Sequence, residues 1–219
     1  MKVAALILTM FLAVVSAAGQ VVSFAQNKKA ISKEEFAPIQ KVAFEFLAKE
    51  PHRIKSTHET FANEGLKPEK ISISMTEYIP PNREHNFYGL NSEDASRKYE
   101  RIKIADKIFV TSEGKWRLLD TSGALAGPPS AASSSTEYYF HGIDNVGEKK
   151  VKVYEVVSCF RFWSGQAERL SFYSEKYWID KDGRIIKKIG ESDGSTSKRS
   201  RTTELFEYDP KIKIEAPMK

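Results

Sequence analysis

The chain has 219 residues, with 34 Lys and Arg against 29 Asp and Glu, a formal charge of +5 and a single Cys. Its 41% apolar content and 25 aromatic residues exclude a disordered, collagen-like or low-complexity chain. One Cys excludes both a disulfide framework and a cysteine-based structural zinc site, and the length suits one domain or at most two.

The first 25 residues contain 19 apolar ones and stand apart from the rest. Met1-Lys2 makes a short positive start, Val3 to Val15 is an apolar run interrupted only by Thr9, and the small residues Ser16, Ala17, Ala18 and Gly19 follow. This is the layout of a secretory signal peptide, assigned to 1–25. Cleavage after Ala25 exposes a polar start at Gln26-Asn27-Lys28-Lys29, and cleavage after Ala18 is the alternative. An uncleaved anchor is disfavoured because the apolar run falls short of the ~20 residues that span a bilayer. No Cys stands beside the cleavage region, which excludes a lipid-anchored start. The expected mature chain, 26–219, is a single soluble domain, periplasmic or secreted and monomeric.

Ile31-Ser32-Lys33-Glu34-Glu35-Phe36 has the form of a capping box, Ser32 with Glu35, flanked by Ile31 and Phe36 as a hydrophobic staple. A helix is predicted from here to Pro51, with Ile39, Val42, Ala43, Phe46 and Leu47 as its apolar stripe. Pro38 lies too deep for a first-turn proline, so it either kinks the helix or moves its start to about residue 37.

From Arg53 onward the apolar period becomes two and turn residues recur about every ten positions, which predicts antiparallel strands. They fall near 53–62, 70–79, 84–90, 98–104, 107–112 and 115–119, and then near 136–144, 149–163, 169–180, 184–192 and 199–208. Asn63-Glu64-Gly65, Pro80-Pro81-Asn82, Ala105-Asp106, Glu113-Gly114, Asn145-Val146-Gly147 and Lys181-Asp182-Gly183 supply the turns. Ser122 to Ser135, with its Gly-Pro-Pro and Ser/Ala runs, reads as a solvated connector, the alternatives being a flexible flap or a poorly specified helix.

The strand over Val151 to Phe162 is apolar on both faces. Val151, Val153, Val157 and Cys159 share one parity, and Tyr154, Val156, Phe160 and Phe162 share the other. Cys159 is read as a core residue, with a reactive or intermolecular thiol as the alternative. One helix cannot cover eight to eleven strands, so the sheet should curl around it and leave an apolar interior that the helix only partly fills. The expected class is α+β, mainly β: a curved antiparallel sheet, or half-barrel, wrapped over an N-terminal helix.

The sequence contains no G-x-S-x-G, H-E-x-x-H, P-loop, G-x-G-x-x-G or C-x-x-C motif. His52 and His58 are spaced neither as a helical nor as an alternate-residue metal pair, and no metal site, cofactor or catalytic residue is assigned. Glu34-Glu35 and the pair Asp180 and Asp182 fit a first helical turn and a turn loop. Two basic clusters, Arg184, Lys187 and Lys188, then Lys198, Arg199 and Arg201, read as a solvated sheet face or hairpin tip rather than a nucleic-acid surface. Weak attraction to anionic lipid headgroups is the alternative for these clusters.

The ordered features resemble a known family. They are the N-terminal leader, one helix, the strand opening Pro51-His52-Arg53-Ile54-Lys55, and the corner Pro80-Pro81-Asn82-Arg83. The strand pair Ile102 to Val110 closing on Gly114-Lys115-Trp116 comes next, then the hairpin Tyr177-Trp178-Ile179-Asp180-Lys181-Asp182-Gly183. The run ends on Tyr208-Asp209-Pro210-Lys211-Ile212-Lys213-Ile214-Glu215-Ala216-Pro217. Their order and spacing, over nearly the whole mature chain, are similar to the LolA-like outer-membrane lipoprotein-sorting, or lipoprotein carrier, superfamily. The resemblance implies a half-barrel holding acyl chains in the periplasm, with a lipoprotein or outer-membrane acceptor as partner. The Ser/Ala/Pro loop departs from that pattern where lid helices would stand, and no residue here matches the carriers' lid-closing arginine.

The first expectation is therefore a non-enzymatic binding or carrier protein for a lipid, acyl chain or lipoprotein. Tyr78, Phe87, Tyr138, Phe140, Phe160, Phe162, Phe172 and Trp178 are its candidate cavity-lining residues. Strand parity alone does not say which face points inward, so ordinary core packing is the competing reading for each. An enzyme of unrecognised type using His58, His85 or His141 with a carboxylate, and a structural envelope module with a filled cavity, are the other two readings.

Overall fold

The computed structural model describes residues 28–62, 67–91, 98–112, 115–119, 133–164, 167–193 and 198–217. A short strand, β1 (Lys29–Ile31), leads into α1 (Lys33–Lys49). Six strands follow: β2 (His52–Phe61), β3 (Pro68–Ile79), β4 (Arg83–Tyr88), β5 (Tyr99–Ile104), β6 (Lys107–Ser112) and β7 (Lys115–Leu119). The last five are β8 (Ser133–Val146), β9 (Lys149–Ser164), β10 (Ala167–Ile179), β11 (Ile185–Asp193) and β12 (Ser200–Tyr208). All twelve belong to one antiparallel sheet in the order β1-β8-β9-β10-β11-β12-β2-β3-β4-β5-β6-β7. The fold is the expected half-barrel class: mainly β, one sheet not closed into a barrel, one helix. The predicted leader, 1–25, lies outside the described residues. None of the described helical residues forms a stretch long and apolar enough to cross a membrane.

The position of α1 follows from this order. β1 is the edge strand beside β8, while β2 pairs with β12 in the middle of the sheet, so the chain between them must cross the intervening strands. Six strand spacings make about 29 Å. A helix of 17 residues is about 26 Å long, so α1 bridges the distance in one element.

The start of α1 is set by the capping box. Glu35 N donates to Ser32 Oγ at 3.1 Å and Ser32 N to Glu35 Oε2 at 2.7 Å, while Ile31 packs with the core around Phe36. Local satisfaction of these amides outweighs Pro38, which lies inside the helix and does not move its start to residue 37. Glu50, extended ahead of Pro51, ends it. Phe36 and Ala43 are buried against Tyr154, Tyr177, Ile179 and Ile185, with Tyr138, Phe140, Val156 and Phe206 around them. The β10–β11 hairpin packs under the helix at Gly183, whose φ of +95° and approach to Val42 Cγ1, 2.6 Å from where a Cβ would stand, both require glycine.

Three observations correct or extend the sequence reading. β8 begins at Ser133, inside the segment assigned to the connector, because the 16-residue β9 gives Ser133 to Ser135 register partners at Arg161 to Cys159; the rest of that connector, to residue 132, lies outside the described residues. β1, only three residues long, was too short to show a period. The C-terminal segment after β12 is neither strand nor free tail: Ile212 and Ile214 are buried against Ile102, with Ile79, Ile104, Phe109 and Trp116 around them.

Bulges bend the sheet at Phe140/Gly142 and Trp178/Ile179. Directly paired residues share a face, so the registers carry the two faces across every strand. Tyr154, Tyr177, Glu204, Ser56 and Ser74 lie on the helix side, and so do Phe206, Ile54, Thr76, Asn86, Arg101, Val110 and Arg117. Ile102, Ile104, Phe109 and Trp116 lie on the outer side, where the C-terminal segment covers them.

Candidate functional site

Near α1 the helix-side face carries a closed polar network. Lys188 Nζ lies 2.8 Å from Glu204 and 3.4 Å from Glu175, and the hydroxyls of Tyr173 and Tyr177 donate to Glu175 at 3.0 and 2.6 Å. Burial disfavours the Lys188 charge, but Glu204 and Glu175 outweigh it and hold its pKa above the ordinary value. Burial, reinforced by Glu175, pushes Tyr173 up to about 12 and Tyr177 further in the same direction. The lysine is neutralised by its partners, so the cluster braces β10, β11 and β12 rather than offering a free base.

Beyond the helix the same face changes character. The apolar contacts of α1 fall on β1 and β8 to β12, and none of the buried apolar clusters among the described residues draws on the helix side of β3 to β6. Ile54, Tyr78, Tyr88, Ile108 and Val110 are only half-buried there, and Tyr99 is exposed. Tyr88 and Tyr99 stack at 4.3 Å with their planes 15° apart, and Tyr78 stacks on His52 at 4.9 Å. Burial, then the neighbouring Glu84 charge, pushes Tyr78 up to about 12. Polar groups are set into this surface. Arg101 Nη1 donates to Glu84 at 3.2 Å, the buried Asn86 amide donates to the same carboxylate oxygen, and Thr76 Oγ1 donates to Asn86 Oδ1 at 2.8 Å. Two strands away, at the C-terminus of α1, a cleft of about 640 Å³ is lined by Pro51, Arg184, Ile186, Phe206, Tyr208 and Pro210, a size typical of small-molecule sites.

The eight predicted lining residues divide between the faces. Tyr138 and Phe140 lie under α1 against Phe36 and Tyr154, Phe160 shares their face by register, and Tyr78 belongs to the uncovered surface. Phe87 is on the outer side beside His85, and Phe172 is on the outer side opposite Cys159, 45% exposed. Trp178 is buried on the outer side with Val151, Val153 and Ile186, its Nε1 donating to Asp144 at 2.8 Å. The Phe162 side chain lies outside the described residues. Tyr88, Tyr99, Arg101, Ile108 and Val110 were missed, although Tyr99, Arg101 and Lys103 at alternate positions are a readable strand face.

The histidines do not converge. His85 pairs with Glu100 at 2.9 Å and His141 with Glu155 at 2.8 Å, both on the outer side, while His58 on the helix side meets the Thr202 hydroxyl at 3.0 Å. Among the described residues no group of His, Cys, Asp or Glu is arranged to hold a metal.

No family model matches the sequence, and no curated protein matches it. Solved structures do. Lipoprotein LppX of Mycobacterium tuberculosis aligns with a TM-score of 0.48 at 8% identity, over 84% of this chain and 100% of the other. LprF of Mycobacterium bovis aligns at 0.45 and 8%, over 86% and 99%. A LolA-superfamily protein of Nitrosomonas europaea aligns at 0.39 and 12%, over 78% and 90%. The likeness to these proteins is one of fold.

Proposed function

We propose that this protein is a non-enzymatic, periplasmic or secreted binding and carrier protein for a lipid, acyl chain or lipoprotein. The ligand lies on the helix side of β2 to β6. One observation carries the reading: Ile54, Tyr78, Tyr88, Ile108 and Val110 form a half-buried apolar surface that belongs to none of the buried clusters, while on the outer side Ile79, Ile102, Ile104 and Phe109 pack with the C-terminal Ile212 and Ile214. Monomeric proteins seldom leave such a surface without use. Transfer of acyl carbons onto it supplies affinity at ~0.8 kcal/mol per CH₂.

Delipidated protein is expected to bind a fluorescent fatty-acid probe that a fatty acid or phospholipid displaces in a titration, and protein taken from its native envelope is expected to carry a lipid mass in native mass spectrometry. Failure to bind any fatty-acid or phospholipid probe would overturn the reading in favour of an envelope module.

A further inference from the structure

The uncovered face is basic as well as apolar. On the helix side of β4 to β7, register places Arg101, Lys103, Lys115 and Arg117 together with a single carboxylate, Glu84. The carboxylates Glu77 and Glu100 of β3 and β5 occupy the opposite parity, on the outer side, where they meet Arg53 and His85. The outer side of these strands mixes Glu77 and Glu100 with Arg83 and Lys107, whereas the helix side of β4 to β7 keeps an excess of three positive charges beside the apolar surface.

The positions are specific. Arg101 on β5 and Arg117 on β7 flank Val110 in one row, and Lys103 lies in the next row beside Ile108. Two strand spacings, about 9.6 Å, separate the two arginine backbones, within reach of two long side chains converging on one group. Glu84 takes one N–H of Arg101 and orients its planar fork. Among the described residues Lys103, Lys115 and Arg117 enter no ion pair.

We propose that the ligand held on this face is an anionic amphiphile, its carboxylate or phosphate bound between Arg101 and Arg117 with Lys103 alongside, and its chain lying over Val110, Tyr88 and Tyr78 toward Ile54. This rests on the binding reading above and adds the chemical class of the ligand. Charge-assisted, bidentate contacts from arginine favour such a headgroup over an uncharged one.

The test uses delipidated, full mature protein and three competitors: a long-chain fatty acid, the fatty alcohol of equal chain length, and inorganic phosphate. The acid is expected to bind about tenfold more tightly than the alcohol. Added salt is expected to narrow that ratio by weakening the acid alone. In Arg101→Gln/Arg117→Gln the acid-to-alcohol ratio is expected to fall toward one. Lys103→Gln/Arg117→Gln, which breaks no ion pair of the fold, is expected to narrow the ratio in part and guards against misfolding of the first variant. Equal affinity for acid and alcohol in the unaltered protein would overturn the anionic headgroup and leave the carrier reading standing. Binding of phosphate with neither amphiphile, or of nothing at all, would overturn both.

Discussion

Strands β8 to β12 and strands β2 to β7 belong to one sheet but differ in how its helix side is covered; the first group is packed on both sides, Trp178, Val151, Val153 and Ile186 forming its outer cluster. In the first group α1 covers the helix side, where Phe36 reaches Tyr138, Tyr154 and Tyr177 with ring centroids 5.4 to 6.4 Å apart. In the second group the C-terminal segment covers the outer side, Ile214 being 1% exposed, and the helix side is left half-open. Connectivity is the cause, because one helix spans the strands between β1 and β2 and no more. The difference teaches that a half-barrel can keep an open interior without losing a core, provided the strands beyond the helix are anchored from behind.

The comparison breaks most visibly at Phe36. Phe36→Ala removes the ring that joins α1 to three strands and is expected to cost about 3–5 kcal/mol in a urea denaturation series. Ile214→Ala is expected to cost somewhat less, about 2–4 kcal/mol, from the other group. Hydrogen exchange separates the two: Ile214→Ala should speed exchange in β4 to β6 while the amides of α1, β9 and β10 stay protected. Equal loss of protection in both groups would show that they do not act as separate units.

Smaller changes sharpen the account of the helix-covered group alone. Gly183→Ala forces a Cβ against Val42 at a positive φ and is expected to cost about 1–3 kcal/mol, read as a lowered denaturation midpoint. Val42→Ala in the same chain should return part of that loss. Ser32→Ala removes the oxygen that accepts from Glu35 N and is expected to cost about 1 kcal/mol, with fraying confined to the first turn of α1.

These contrasts also mark what the sequence made legible. The capping box, the Pro51 stop and the Asp182-Gly183 turn are local chemistry and were readable in place. The two-sided apolar character of Val151 to Phe162 was readable too: Tyr154 meets Phe36 on one side while Val151 and Val153 pack with Trp178 on the other. The inward direction of each strand was not readable. Ile102 and Ile104 look like residues pointing into a barrel, yet they face the C-terminal segment, whose Ile212 and Ile214 come from far along the chain and repeat no period. Of the proposed surface, the sequence reading named Tyr78 alone, since it picked out aromatic residues and did not single out Arg101 or Lys103. Side-chain type could not separate the two faces; only register did.

The smallest effect concerns pH, at the seam where the two groups meet. His52 begins β2, 4% exposed, its Nδ1 2.8 Å from the Glu50 carbonyl oxygen and its ring between Tyr78 and Tyr208. Burial lowers its pKa, and the Glu50 carbonyl offsets that only in part. The folded chain therefore takes up this proton at a lower pH than the unfolded chain, whose histidine titrates near 6.5. Between those two values the unfolded state holds more protons, so stability rises with pH there and falls as the solution is acidified. Above about 6.5 both states are neutral and His52 adds no slope. The loss is bounded at about 1.4 kcal/mol per pH unit for one proton. Glu155, held low by Lys28 and His141 in spite of its burial, loses its stabilisation only below the ordinary carboxylate value. His52→Phe retains a ring between the tyrosines and removes the titration. Denaturation midpoints measured from pH 7.5 to 5 should fall less steeply in that variant, and identical slopes would place the acid sensitivity of the seam elsewhere.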